Sequence, residues 1–202
     1  MKVVKTLVVL AMVGYPFLVY GGLRLLEPRA LALALGGALL VREAVRLRAR
    51  SPSPLLGPLA LVASILALSA AFNEGRFFLF VPALISAALF VSFGRTLIVG
   101  PSMVERLARR RLAHVTVADV VYCRRVTEVW CAFFIANGAL SLWLALRAPI
   151  EVWTLYTGLL AYLLVGAVFA GELTYRAWRF RRYDGDVTDV FLRRLFPPRP
   201  AR

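Results

Sequence analysis

Six apolar stretches divide this chain, at about 4–22, 28–46, 55–72, 77–98, 126–147 and 152–174. A helix that crosses a bilayer needs about 20 apolar residues, and five of the six are near that length. The second is the exception. Its uncharged core, "ALALALGGALLV" at 30–41, is short, and it spans only with Arg42 and Arg46 carrying their head groups to the interface. The first stretch follows Lys2 and Lys5, as a signal peptide would. No A-x-A cleavage site follows it, and Pro16 and Tyr20 interrupt its far end, so it reads as a retained helix. "RSPSPLLGP" at 50–58 is a turn whose three prolines mark the break before the third helix. The pattern predicts an all-α polytopic membrane protein. Residues 1–182 form a domain of six transmembrane helices, and residues 183–202 a basic amphipathic tail.

Composition agrees, and charge adds an orientation. Of 202 residues 60% are hydrophobic, and the mean hydropathy is +0.74, above a soluble domain's roughly even split. With the N-terminus inside, the outer loops hold only Arg24, Arg29, Arg76 and Arg147 of the 25 Lys and Arg. Cationic residues concentrate in cytoplasmic loops, so the asymmetry predicts both termini in the cytoplasm. Deleting the weak second span would put this alternation out of phase. The net charge of +14 does not point to nucleic acid, because the cations follow the membrane boundary instead of lining one groove.

The longest loop opens with "GPSMVERLARRR" at 100–111. Pro101 excludes a helix interior there, and Ser102 with Glu105 has the S-x-x-E spacing of a capping box. A short helix is predicted over 103–112, between spans four and five. Met103, Val104, Leu107, Ala108 and Leu112 fall on one side, and Arg106, Arg109 and Arg110 on the other. Such a helix lies in the interface, with Arg106, Arg109, Arg110 and Arg111 toward phosphates of anionic lipid. Each cation there contributes about 1 kcal/mol. The tail "DVTDVFLRRLFPPRP" reads as a second interfacial element.

Candidate chemistry is sparse. His114 and Asp119 match the H-x4-D spacing of glycerolipid acyltransferases, in which a His acts as base on a hydroxyl. No anion-binding motif accompanies them, so no catalytic residue is assigned, and "HVTVADVV" reads as a loop leading into the fifth span. Cys123 and Cys131, on one helix, lie about 12 Å apart, beyond the roughly 7 Å a disulfide allows. No Cys–His cluster implies a metal, and no cofactor is expected. Ionisable residues at membrane depth are better pointers. Glu128 follows Arg124 by four residues and Glu172 precedes Arg176 by four, both helical pair spacings. With spans five and six antiparallel, Glu128, Glu172, Arg124, Arg125, Tyr175 and Arg176 form one candidate polar cluster; alternatively, each Glu anchors its own helix. Asn137, about 13 Å deeper than Glu128, must find an interhelical partner, and Gly138, Gly158 and Gly166 allow close helix approach. Asn73, Glu74 and Arg76 mark a polar outer turn.

Four segments, "AFNEGRFFLFVPALISAALFVS", "GPSMVERLARR", "RRVTEVWCAFFIANGALSLWLA" and "EVWTLYTGLLAYLLVGAVFAGEL", resemble the intracellular septation protein A family of bacterial inner-membrane-spanning proteins. They look closer still to an uncharacterised sister group, some of whose members are encoded near aryl-polyene-type lipid genes. The markers are Asn73–Glu74, the segment from Pro101 onward, and Trp130, Phe133, Phe134, Asn137 and Gly138. The likeness covers about 5–182 and not the tail. It implies a non-enzymatic inner-membrane protein that supports cell-envelope biogenesis or organisation through contacts with lipid and other inner-membrane proteins. The alternative is an accessory transferase or transporter for lipid-linked intermediates.

Overall fold

The computed structural model describes residues 2–30, 32–33, 36–37, 67–110, 115–181 and 193–197, with side chains from Gly14 onward. Every regular element among them is helical. These are α1 (Lys2–Leu25), α2 (Arg76–Leu79), α3 (Val81–Ile98), α4 (Met103–Ala108), α5 (Val117–Arg147), α6 (Ile150–Leu155), a π-helical turn (Tyr156–Leu160) and α7 (Ala161–Phe180). Two compact units divide the chain, Met1–Leu159 and Leu160–Arg202.

Three helices are long and apolar enough to cross a membrane: Arg76–Ile98, Val117–Arg147 and Ile150–Phe180, of 23, 31 and 31 residues. Only 28% of the apolar window of each is buried. Val91, Ile135, Leu146 and Leu163 lie outward and exposed. In water such surfaces would drive association, whereas in a bilayer they face lipid, so the three helices support a membrane-embedded protein. The predicted second and third spans lie mostly outside the described residues. Their described ends, 28–30 and 67–72, are helical.

The span starting at Arg76 is broken near its beginning. Phe80 separates α2 from α3, and Pro82 stands in the first turn of α3. Pro82 has no N–H to give to the carbonyl of Phe78, four residues back. In a membrane a bare carbonyl must find another donor. The Tyr15 hydroxyl of α1 donates to Phe78 O at 2.9 Å. Next to it, Trp153 Nε1 of α6 donates to Leu79 O at 3.1 Å. Phe78 and Trp153 are both fully buried. The break thus ties α1, α2 and α6 together. Further along, α3 packs on α5 through aromatic rings: Phe93 meets Phe134 edge-on at 5.2 Å, and Trp130 lies 5.6 Å from Phe134. Gly158, in the π-turn, lets Phe17 of α1 approach so closely that a Cβ would stand 2.9 Å from its ring. At Gly166, among the described residues, a Cβ would meet nothing within 4 Å.

Two expected boundaries need correction. The helix of the expected fifth span begins at Val117, not 126, so "HVTVADVV" is largely helix. Thr116 caps it: its Oγ1 accepts from Asp119 N at 3.3 Å, and Asp119 Oδ2 accepts from Thr116 N at 2.9 Å. At Ser102 and Glu105, where the S-x-x-E spacing predicts a capping box, no side-chain cap bond forms. The helix after Pro101 does start at Met103, but it ends at Ala108, and Arg109 and Arg110 follow as a turn.

Candidate functional site

Beyond the end of α3, the short α4 is pinned by its backbone against α3 and α5. Its first N–H groups have no partner within the helix. Met103 N donates to Thr96 Oγ1 of α3 at 2.9 Å, and Val104 N to Thr127 Oγ1 of α5 at 3.3 Å. Each threonine hydroxyl also donates to its own helix, Thr96 to Phe93 O at 2.6 Å and Thr127 to Cys123 O at 2.8 Å. The reversal into α4 passes through Gly100 at φ +85, a conformation that glycine adopts without strain.

Glu105 turns inward, 5% exposed, and Leu107 outward, 52% exposed. The expected division into an apolar inner face and a basic outer face therefore holds only in part. Docking through threonine hydroxyls selects a polar inner face, and Leu107 is left among the cations. Glu105 Oε1 accepts from Arg109 Nε at 2.8 Å and Nη2 at 2.6 Å, a fork that holds this guanidinium. Arg106 Nε donates to Pro101 O at 2.9 Å. Arg110 is exposed and makes no ion pair with a described residue. Arg111 and His114 lie outside the described residues. Asp119, the other half of the H-x4-D spacing, is buried with its carboxylate on Thr116 N and Oγ1, at 2.9 and 2.7 Å.

Arg124 extends the same surface. Its Nη1 donates to Leu97 O at the end of α3 at 3.1 Å, and its Nε lies 3.3 Å from Glu128. Arg125 is exposed beside it. Glu172, Tyr175 and Arg176 belong to the second unit. There Arg176 Nε lies 3.8 Å from Glu172, and the Tyr175 ring is 5.7 Å from Trp178. Each glutamate thus has an arginine on its own helix. In the tail, residues 193–195 form a helical turn, and Arg181 Nη1 donates to Pro197 O at 3.1 Å. The rest of the tail lies outside the described residues.

In the middle of α5, Asn137 Nδ2 donates to Ser86 Oγ of α3 at 2.9 Å, and its Oδ1 accepts from Tyr156 OH at 2.9 Å. Gly138 beside it lets Ser86 approach, with 3.1 Å between a placed Cβ and Ser86 Cβ. Cys123 and Cys131 are buried and not bridged to each other. Among the described residues no group of three His, Cys, Asp or Glu is placed to hold a metal.

The opposite ends of the helices meet at another rim. Asn73 sits at φ 52 in a left-handed turn, and its Oδ1 accepts from Arg29 N at 3.0 Å. Ser69 Oγ donates to Glu74 O at 3.1 Å. Arg24 pairs with Glu151 at 2.9 Å and lies over the Tyr20 ring. Thr96, Thr127, Ser86 and Tyr156 were absent from the residues singled out in the sequence. A Ser or Thr in an apolar helix usually bonds its own backbone, so only the Thr-x-x-Asp spacing at Thr116 was a usable signal. Comparison of the chain with protein-family models, with curated proteins and with solved structures finds no match in any of the three.

Proposed function

We propose that the chain is a non-enzymatic, six-span protein of a bacterial inner membrane, with both termini cytoplasmic, that supports cell-envelope biogenesis or organisation through lipid and protein contacts. The observation that carries the reading is the docked α4, held by Thr96 near the end of α3 and by Thr127 of α5, with Arg106, Leu107 and Arg110 outward. An apolar residue between cations suits the level of anionic lipid phosphates. With its 24 residues, α1 reaches about 36 Å, long enough to span. The envelope role itself rests on the resemblance to septation-type membrane proteins at Asn73–Glu74, the segment from Pro101, and Trp130 to Gly138.

Reporter fusions at Gly75 and at Arg202 test the topology and should lie on opposite sides; the same side for both ends the six-span reading. The role is tested by deleting the chain in its host and scoring envelope integrity. The Arg106→Gln/Arg110→Gln variant, at normal abundance, should fail to restore it. Full restoration would remove the basic surface from the function.

A further inference from the structure

At the rim opposite α4 lies an open cleft of about 560 Å³. Part of its wall is apolar, from Leu23, Leu79 and Ile150, and its charged side chains are Glu74, Arg76 and Arg147. Arg76 and Arg147 begin and end two of the span-length helices, and Ile150 begins the third. The cleft therefore stands where apolar helix gives way to headgroup. All three charged side chains are exposed and make no ion pair or side-chain hydrogen bond with a described residue. Arg24 and Glu151, at the same rim, pair with each other.

Two guanidinium groups and one carboxylate in one cleft make a surface of both signs. The guanidinium groups match phosphate oxygens. The carboxylate matches an ammonium, and residues 145–147, which also line the cleft, stand at the C-terminal end of α5, the negative end of a helix dipole. Leu146 also lines the cleft and is exposed on the outward surface. We propose that this cleft binds the zwitterionic headgroup of an ethanolamine phospholipid, with phosphate on Arg76 and Arg147, ammonium on Glu74, and acyl chains along the apolar wall. The site is separate from the α4 surface and does not depend on which face is cytoplasmic.

The full chain, purified in mild detergent and delipidated, is offered phosphatidylethanolamine, phosphatidylglycerol or phosphatidylcholine, and bound lipid is read by native mass spectrometry. The ethanolamine lipid should bind best. Phosphatidylglycerol shares the phosphate but lacks the amine, and the choline amine has no N–H to donate. Arg76→Gln/Arg147→Gln should weaken ethanolamine-lipid binding by about tenfold or more. Glu74→Gln should abolish the preference over phosphatidylglycerol and leave phosphatidylglycerol binding intact. Free phosphoethanolamine, lacking acyl chains, should not compete at equal concentration. Equal binding of all three lipids by the unaltered chain, unchanged binding in the arginine variant, or full competition by phosphoethanolamine overturns the assignment. Thermal unfolding of each variant separates lost binding from lost fold, and the milder Glu74→Gln change carries the test where the arginine variant unfolds.

Discussion

Replacing Asn137 by leucine, a residue of similar size, would strip the middle of the first unit of its shared amide. Ser86 Oγ loses the Nδ2 donor at 2.9 Å but still donates to Pro82 O at 3.0 Å. Tyr156 OH loses its acceptor, Asn137 Oδ1, also at 2.9 Å, and is left in a 7% exposed position. Interhelical hydrogen bonds in membranes average about 0.6 kcal/mol, and an orphaned buried hydroxyl costs about 1 kcal/mol more. Asn137→Leu should thus cost about 2 kcal/mol and Tyr156→Phe about 0.6 kcal/mol. With both changed no hydroxyl is orphaned, so the double variant should lose only the two bonds, about 1.2 kcal/mol. The coupling comes to about 1.4 kcal/mol. Unfolding in mild detergent, followed by the fluorescence of buried Trp130 and Trp153, measures all four corners of the cycle. Additivity within about 0.3 kcal/mol refutes the reasoning, because Asn137 and Tyr156 would then not share a bond.

The broken start of the Arg76 span makes a related prediction. Tyr15→Phe should destabilise by about 0.6–1.7 kcal/mol. It should cost much less in a Pro82→Ala background, where a backbone N–H returns for Phe78 O; equal costs in both backgrounds count against this use of Tyr15. Gly138→Ala should cost about 1–3 kcal/mol, since Ser86 Cβ and Ala83 O stand close to it. Gly158→Ala should cost less because the Phe17 ring is half exposed and can swing away; the reverse order, in the same unfolding assay, would contradict the packing. Asp119→Ala should lose about 1 kcal/mol of helix capping, while His114→Ala should leave the proposed envelope role, at normal abundance, unchanged. Loss of function at His114 would bring the H-x4-D spacing back as chemistry.

Much of the membrane character was legible residue by residue. A bilayer selects on length and apolarity alone, so the run from 77 to 98 predicts the observed span from Arg76 to Ile98 closely. Asn73 at its left-handed turn and the new helix after Pro101 follow from equally local rules. The start of the fifth span was also written locally, in Thr116 and Asp119, but the apolar pattern outweighed it because Arg124, Arg125 and Glu128 interrupt the early turns of the helix. Other features belong to tertiary structure alone. Nothing in the sequence says that Tyr15 serves the carbonyl released by Pro82, or that Thr96 and Thr127 rather than Ser102 cap α4. Nor does it say that Ser86 and Tyr156 share Asn137, or that Glu74, Arg76 and Arg147 line one cleft. The physical reason is common to all of them. Lipid is as apolar as the helix surface, so hydrophobic pattern chooses which segments enter the membrane but not which faces meet. Only the packed helices decide which polar groups find each other.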